Sequence, residues 1–189
     1  KKIVLHQIPS GILQDNCLCI LGNGMVIDPI ELSKEIKELK KLNMPISNIY
    51  ISPNAHIVTP VHKGIDLKNE EGSSNKIGTT GKGIGPTYVD KYNRKGIRAI
   101  DIGNTDYLKN IYKKKLKKSI KNNELDSSFD PESEQASEFF KCCEFITQYV
   151  KNVFPVLHDS ENSILVEGAQ GALFDIDHGT YQQSIIPEP

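Results

Sequence analysis

The residues best suited to chemistry lie in Ile77-Gly78-Thr79-Thr80-Gly81-Lys82-Gly83-Ile84-Gly85-Pro86. Four glycines in eight residues let a backbone approach a ligand closely. Successive N–H groups can then form an anion-binding concavity, with the hydroxyls of Thr79 and Thr80 as further donors. Phosphate is the natural guest. The segment is not a Walker A loop, because Lys82 is followed by Gly83 rather than Ser or Thr. Nor is it G-x-G-x-x-G, because Tyr88 stands where the third glycine would fall. A plain surface loop is the alternative, and composition leaves the two open.

Three further clusters could act. Glu167-Gly168-Ala169-Gln170-Gly171 follows an apolar run read as a strand, at the sheet edge where open α/β folds bind ligands. Gln170, with glycines nearby, can read a donor and an acceptor on a base edge; a tight turn with a solvated glutamine is the simpler alternative. Asp175, Asp177 and His178 could ligate a metal, but no complete ligand set is visible, and carboxylates serving backbone N–H groups are preferred. In Lys91–Arg98, a planar guanidinium, of Arg94 or Arg98, could clamp a phosphate, against the alternative of a solvated basic turn. His56 and His62 have no evident partners in the sequence and are read as structural or exposed.

Composition narrows the class. Lys plus Arg is 23 and Asp plus Glu is 24 among 189 residues, so the net charge of -1 argues against a globally basic nucleic-acid binder. Seven lysines crowd 109–121, but six acids follow in 124–138 and cancel their field, so no nucleic-acid groove is expected. No stretch approaches the roughly 18 apolar residues of a membrane span, and three apolar residues after Lys1-Lys2 are too few for a secretory signal. Cys17, Cys19, Cys142 and Cys143 lack C-x-x-C spacing and read as buried reduced thiols of a cytoplasmic protein.

The elements that would position these clusters alternate. "CLCIL" (17–21) reads as a buried strand ended by Gly22-Asn23-Gly24. Asp28 as N-cap, Pro29 at the first helical position and Glu31 completing a capping box predict a helix over 29–42, with Leu32, Ile36, Leu39 and Leu42 as its apolar stripe. "ISNIYIS" (46–52) reads as the next strand, giving a βαβ unit and a parallel sheet. Residues 62–75 read as a polar loop, 131–154 as a second long helix and 163–168 as a short strand. The opening "KKIVLH" reads as a strand already in progress and the chain stops in a Pro-rich tail, so both ends look cut. The fold class is α/β: part of an open, mainly parallel sheet flanked by helices, with a helical insert around 105–160. Residues 1–189 are taken as a single part of a larger domain.

Five blocks together resemble the adenylosuccinate synthetase family: "VLHQIPSGIL" (4–13), "GNGMVIDP" (22–29), "IGTTGKGIGPTYVDK" (77–91), "RKGIRAID" (94–101) and "EGAQGALFDIDHGTY" (167–181), in the family's order. The match is weak over 105–160. The resemblance implies a ligase of purine nucleotide synthesis. It transfers the γ-phosphoryl of GTP to the 6-oxo group of IMP, and L-aspartate then displaces the phosphate, with Mg²⁺ required. It also implies that Thr80, with Thr79 beside it, holds the 5′-phosphate of IMP. Gln170 would read the base edge near the reacting centre. Arg94 would reach across a homodimer interface to the partner's IMP.

The same resemblance marks what these residues do not carry. The family's G-D-E-G-K-G-K loop, with its general-base aspartate and GTP-binding lysine, and its histidine acid lie upstream of the matched blocks. Its arginine-rich aspartate-binding loop and guanine-reading T-K-x-D segment lie downstream. Ile185 stands where the family has a further IMP-binding threonine, so that role is not carried over. The expectation is that this stretch alone is inactive and that the Mg²⁺ ligands lie outside it. A non-catalytic nucleotide-binding or dimerisation module is the alternative.

Overall fold

The structure is a computed structural model describing residues 3–71, 81–126, 129–130 and 132–168. The chain divides into two compact units, Lys1–Phe154 and Pro155–Pro189.

In the first unit, β1 (Cys19–Leu21) and β2 (Val26–Ile27) precede α1 (Pro29–Lys41), and β3 (Ile49–Ile51) and β4 (His56–Ile57) follow it. β1 pairs with β3 and β2 with β4, both parallel, with Cys19 opposite Ile49 and Ile27 opposite Ile57. Parallel neighbours need a crossover, and α1 supplies it. Four more helices complete the described chain: α2 (Pro60–Glu71), α3 (Ile84–Tyr92), α4 (Thr105–Lys121) and α5 (Glu134–Ile146), with a last turn, α6 (Phe154–Leu157), at the boundary of the units. The α/β class and the helical character of 105–160 are as expected. Among the described residues no helix is long and apolar enough to cross a membrane.

α1 forms where its sequence dictates. Asp28 Oδ1 accepts from the N–H groups of Ile30 and Glu31 at 3.1 and 3.4 Å, and Leu32, Ile36 and Leu39 are buried against the strands and α5. The capping box, however, is not closed by Glu31, which binds Lys34 at 2.8 Å instead. Gln7 takes its place: its Oε1 accepts from Asp28 N–H at 2.9 Å and its Nε2 donates to Asp28 C=O at 3.1 Å. Glu35, one of the charges between the stripe positions, is buried and accepts from the N–H groups of His6, Gln7 and Ile8. Those N–H groups are therefore committed to a carboxylate, and residues 3–8 form a bend rather than the expected strand.

Four other expectations need correction. Residues 46–48 form a 3₁₀ turn, so the strand there is only Ile49–Ile51. Residues 60–71 form a helix, not a loop. The helix expected to run to 154 ends at Ile146, because Val150 leaves it to bridge Ile51 in parallel. Residues 163–168 belong to no strand, having no ladder partner among the described residues.

α5 packs on α4 through Tyr112, whose ring stacks on Phe139 at 5.8 Å and meets Phe140 edge-on at 5.3 Å. Cys142 and Cys143 are buried free thiols, as expected; Cys19 is buried with its Sγ–H donating to Pro9 C=O at 3.8 Å, and Cys17 is half-buried. Burial pushes the Cys143 thiol well above its ordinary range, so it is inert at neutral pH.

Candidate functional site

α3 carries the two clusters of the site that fall on described residues. Its entry is the glycine loop, of which 81–86 are described and Thr79 and Thr80 are not. Gly81 and Gly83 have φ of 62° and 73°, in the left-handed region that favours glycine. A Cβ on Gly83 would lie 2.8 Å from Lys63 N and 2.9 Å from His62 C, so only glycine permits this approach to the start of α2. Gly83 N–H donates to Asp66 Oδ2 at 2.8 Å, and its carbonyl accepts from Thr87 Oγ1 at 2.7 Å. Pro86 falls in the first turn of α3, where its missing N–H is not needed.

At the other end, the chain leaves α3 through a turn with Arg94 at φ 56°. The Asp90 carbonyl accepts from Lys95 N–H and Gly96 N–H, at 2.8 and 3.1 Å, and closes that turn. Gly96 then packs on His56 so closely that a Cβ would fall 2.4 Å from the ring. Arg94 itself is exposed. The loop and Arg94 are thus separated by the nine residues of α3, about 13 Å of helix.

Between these ends, one carboxylate joins three helices. Asp90 Oδ2 lies 3.2 Å from His62 Nε2 on α2 and hydrogen-bonds Lys115 Nζ on α4. His62 is fully buried, and the Asp90 and Lys115 side chains are only 18% and 15% exposed. Thr59 N–H donates to His62 Nδ1 at 3.0 Å, which fixes the neutral tautomer: Nδ1 accepts and Nε2–H points at Asp90. His62 N–H returns to Thr59 Oγ1 at 3.3 Å, closing a capping box with histidine in the glutamate position. Burial holds the His62 pKa below its ordinary value, only partly offset by Asp90. For Asp90, burial acts upward, but the bonds and charges of His62 and Lys115 outweigh it and bring the pKa to about 2. His62 is therefore structural, one of the two roles expected of it, with partners that its sequence neighbourhood does not show, and Lys115, unlike most lysines of 109–121, is largely covered. The signal for the histidine was Thr59-Pro60, a cap followed by proline at the first helical position.

Two more side chains of α3 grip the Gly22-Asn23-Gly24 turn. Tyr88 Oη donates to Gly24 C=O at 2.8 Å, and Lys91 Nζ to Asn23 C=O. Asn23 Oδ1 in turn accepts from Ser52 Oγ at 2.5 Å. Three apolar side chains of α3 are also exposed: Ile84, Val89 and Tyr92, at 40%, 59% and 79%.

Gln170, Asp175, Asp177, His178 and Ile185 lie outside the described residues. Among the described residues no group of three or more His, Cys, Asp or Glu side chains could hold a metal ion.

Comparison with known proteins shows the family and the fold. The family described as "Adenylosuccinate synthetase" matches residues 1–185. Adenylosuccinate synthetases of Chlorobium limicola and Chlorobaculum tepidum are 42% and 43% identical over 189 and 194 residues, each alignment covering 96% of this chain. The structure of fully ligated adenylosuccinate synthetase from Plasmodium falciparum matches with a TM-score of 0.83 at 34% identity over 96% of this chain. In each case this chain spans 43% of the relative's length. With its family match running from residue 1 to 185, the chain belongs to the adenylosuccinate synthetase family.

Proposed function

We propose that the protein to which these residues belong joins IMP and L-aspartate at the expense of GTP, in a Mg²⁺-dependent reaction, and that this stretch supplies the IMP side of the site. The chemistry is activation. The 6-oxo group of IMP is a poor leaving group; phosphorylated by GTP it becomes a good one, and the aspartate amine displaces it as inorganic phosphate. Transfer of this kind depends on positioning and charge neutralisation more than on covalent help from the protein. Thr80, with Thr79, binds the 5′-phosphate, and Gln170 reads the base edge. Mg²⁺ neutralises charge on the transferring phosphates when bound. No step is assigned to metal ligands among the described residues.

The observation that carries this reading is α3, with the glycine loop at one end and an exposed arginine at the other. About 13 Å of helix separates them, which supports Arg94 serving a phosphate other than the one at its own loop. The exposed apolar side chains of Ile84, Val89 and Tyr92 on α3 support a two-fold contact that would bring the partner's loop opposite. A cytoplasmic homodimer is part of this reading, and the 189 residues alone are proposed not to turn over.

The test is made on the full-length protein. IMP, GTP, Mg²⁺ and aspartate should yield adenylosuccinate, GDP and phosphate; absence of product would leave the non-catalytic nucleotide-binding module as the better reading. Arg94→Leu and Gln170→Ala subunits, each strongly impaired at a fixed low IMP concentration, should regain activity on mixing, because one composite site of the heterodimer is then intact. No recovery, with heterodimers shown to form, would place Arg94 in its own subunit's site or in a structural role.

A further inference from the structure

His62, Asp90 and Lys115 stand far apart in sequence, on three different helices, yet share one carboxylate oxygen. A surface ion pair contributes little to holding a structure in place. This one differs, because His62 is fully buried and has its other ring nitrogen occupied by Thr59. The carboxylate cannot shift without leaving a buried imidazole N–H unpaired.

What it holds is the geometry of α3. The side chain of Asp90 ties α3 to α2 and α4, and its backbone carbonyl closes the turn that presents Arg94. The same stretch of α2 receives the other end of α3: Gly83 packs on the His62–Lys63 backbone and donates to Asp66. One helix, clamped at both ends onto one neighbour, therefore fixes the spacing between the glycine loop and Arg94.

We propose that Asp90 is a positioning residue for the IMP site, setting the glycine loop and Arg94 in one fixed relation through His62 and Lys115. The inference rests on the reading of α3 given above. It adds that two phosphate-binding elements, serving two sites of a dimer, are aligned by a carboxylate that touches neither substrate.

The test uses the full-length protein and the separate KM values for IMP, GTP and aspartate. Asp90→Asn keeps the size of the side chain but removes its charge. It should raise the IMP KM about ten- to a hundredfold, the scale of a small misplacement, with the GTP and aspartate KM values nearly unchanged. Lys115→Met should act in the same direction and Lys115→Arg should restore the wild-type value, which a role in bulk stability alone would not produce. If Asp90→Asn fails to fold, the Lys115 pair carries the same prediction. Combined with Arg94→Leu, Asp90→Asn should add less than its separate effect, since both act on the same phosphate. An unchanged IMP KM in folded Asp90→Asn, or equal losses for all three substrates, would overturn the inference while leaving the IMP reading intact. If Arg94→Leu itself leaves the IMP KM unchanged, the reading of α3 fails, and this inference with it.

Discussion

α1 opens on Asp28-Pro29 and α2 on Thr59-Pro60, each a capping side chain followed by proline at the first helical position. Beyond that shared start the two helices are held differently. α1 is fixed by an apolar stripe, with Leu32 and Ile36 fully buried. α2 is fixed largely by polar side chains: His62 to Asp90, Lys63 to the Asp28 cap of α1 at 2.5 Å, Asp66 to Gly83 N–H and Lys68 to Asp126. Apolar packing is non-directional and tolerates small shifts. Hydrogen bonds and ion pairs specify direction, and here they point toward the helix on which the proposed site is built. The contrast divides the molecule into a region that supplies stability and a region that supplies alignment.

The largest effect should come from the stability side. Ile36→Ala removes a side chain with no exposure from between the strands and α5, and should cost about 3–4 kcal/mol in denaturant unfolding. That loss should be the same at pH 5 and pH 7, because no titrating group is involved. A loss below about 1 kcal/mol would mean that the stripe is not where the stability resides.

Acid should break the alignment side first. His62 has a folded pKa below its unfolded value, so the unfolded chain takes up a proton as pH falls past about 6.5 while the folded chain does not, and stability declines from there. Asp90 has a folded pKa of about 2. Its contribution is complete above an unfolded value of about 3.9 and is lost as pH falls through the folded one. The Asp90 part should remove about 2 kcal/mol as pH falls from about 4 to about 2, on top of the decline that His62 sets from about 6.5, and Asp90→Asn should remove that lower part of the slope. An unfolding free energy flat across that range would contradict the buried network.

A third test falls on the contact between α2 and the glycine loop. Gly83→Ala would force a Cβ toward the α2 backbone and strain a φ of 73°. It should cost about 1–3 kcal/mol and weaken IMP binding in the full-length protein. Gly24→Ala, where a Cβ meets nothing within 4 Å, is the matched control and should do neither.

How much of this was legible follows the same division. α1 could be read because its signals are local: a cap, a proline and apolar residues at helical spacing. β1 and β3 could be read because short apolar runs flank that helix. α2 was taken for a loop because its apolar residues are few, and the partners of its polar ones lie 17 to 58 residues away. Glu35 lies between the stripe positions of α1 yet is buried against residues 6–8, a contact that no periodicity reveals. The phosphate loop was legible as composition, and Arg94 only through resemblance, since its left-handed turn is a property of the Asp90 carbonyl that closes it. The long helix to 154 and the strand at 163–168 were over-read, because an apolar face predicts burial and not the point at which the chain leaves the helix.

The smallest effect bears on the start of α1, where sequence and structure assign the same task to different residues. The capping pattern nominates Glu31, three residues after Asp28. In the structure Asp28 N–H is taken by Gln7, from a segment 21 residues upstream, and Glu31 pairs with Lys34 at the surface with both side chains more than half exposed. A surface pair of this kind contributes a few tenths of a kcal/mol at most. The Gln7 amide makes two bonds to one backbone residue, and removing it takes the partner from a nearly buried N–H, while the Asp28 C=O keeps Leu32 N–H at 2.9 Å. Gln7→Ala should therefore cost about 1–2 kcal/mol, and Glu31→Ala about 0.5 kcal/mol or less. The Glu31 loss should also vanish at high salt while that of Gln7 persists, because only the former is a screened charge interaction. A larger loss for Glu31 than for Gln7 would restore the local capping box and would mean that α1, like its apolar stripe, is specified entirely by its own sequence.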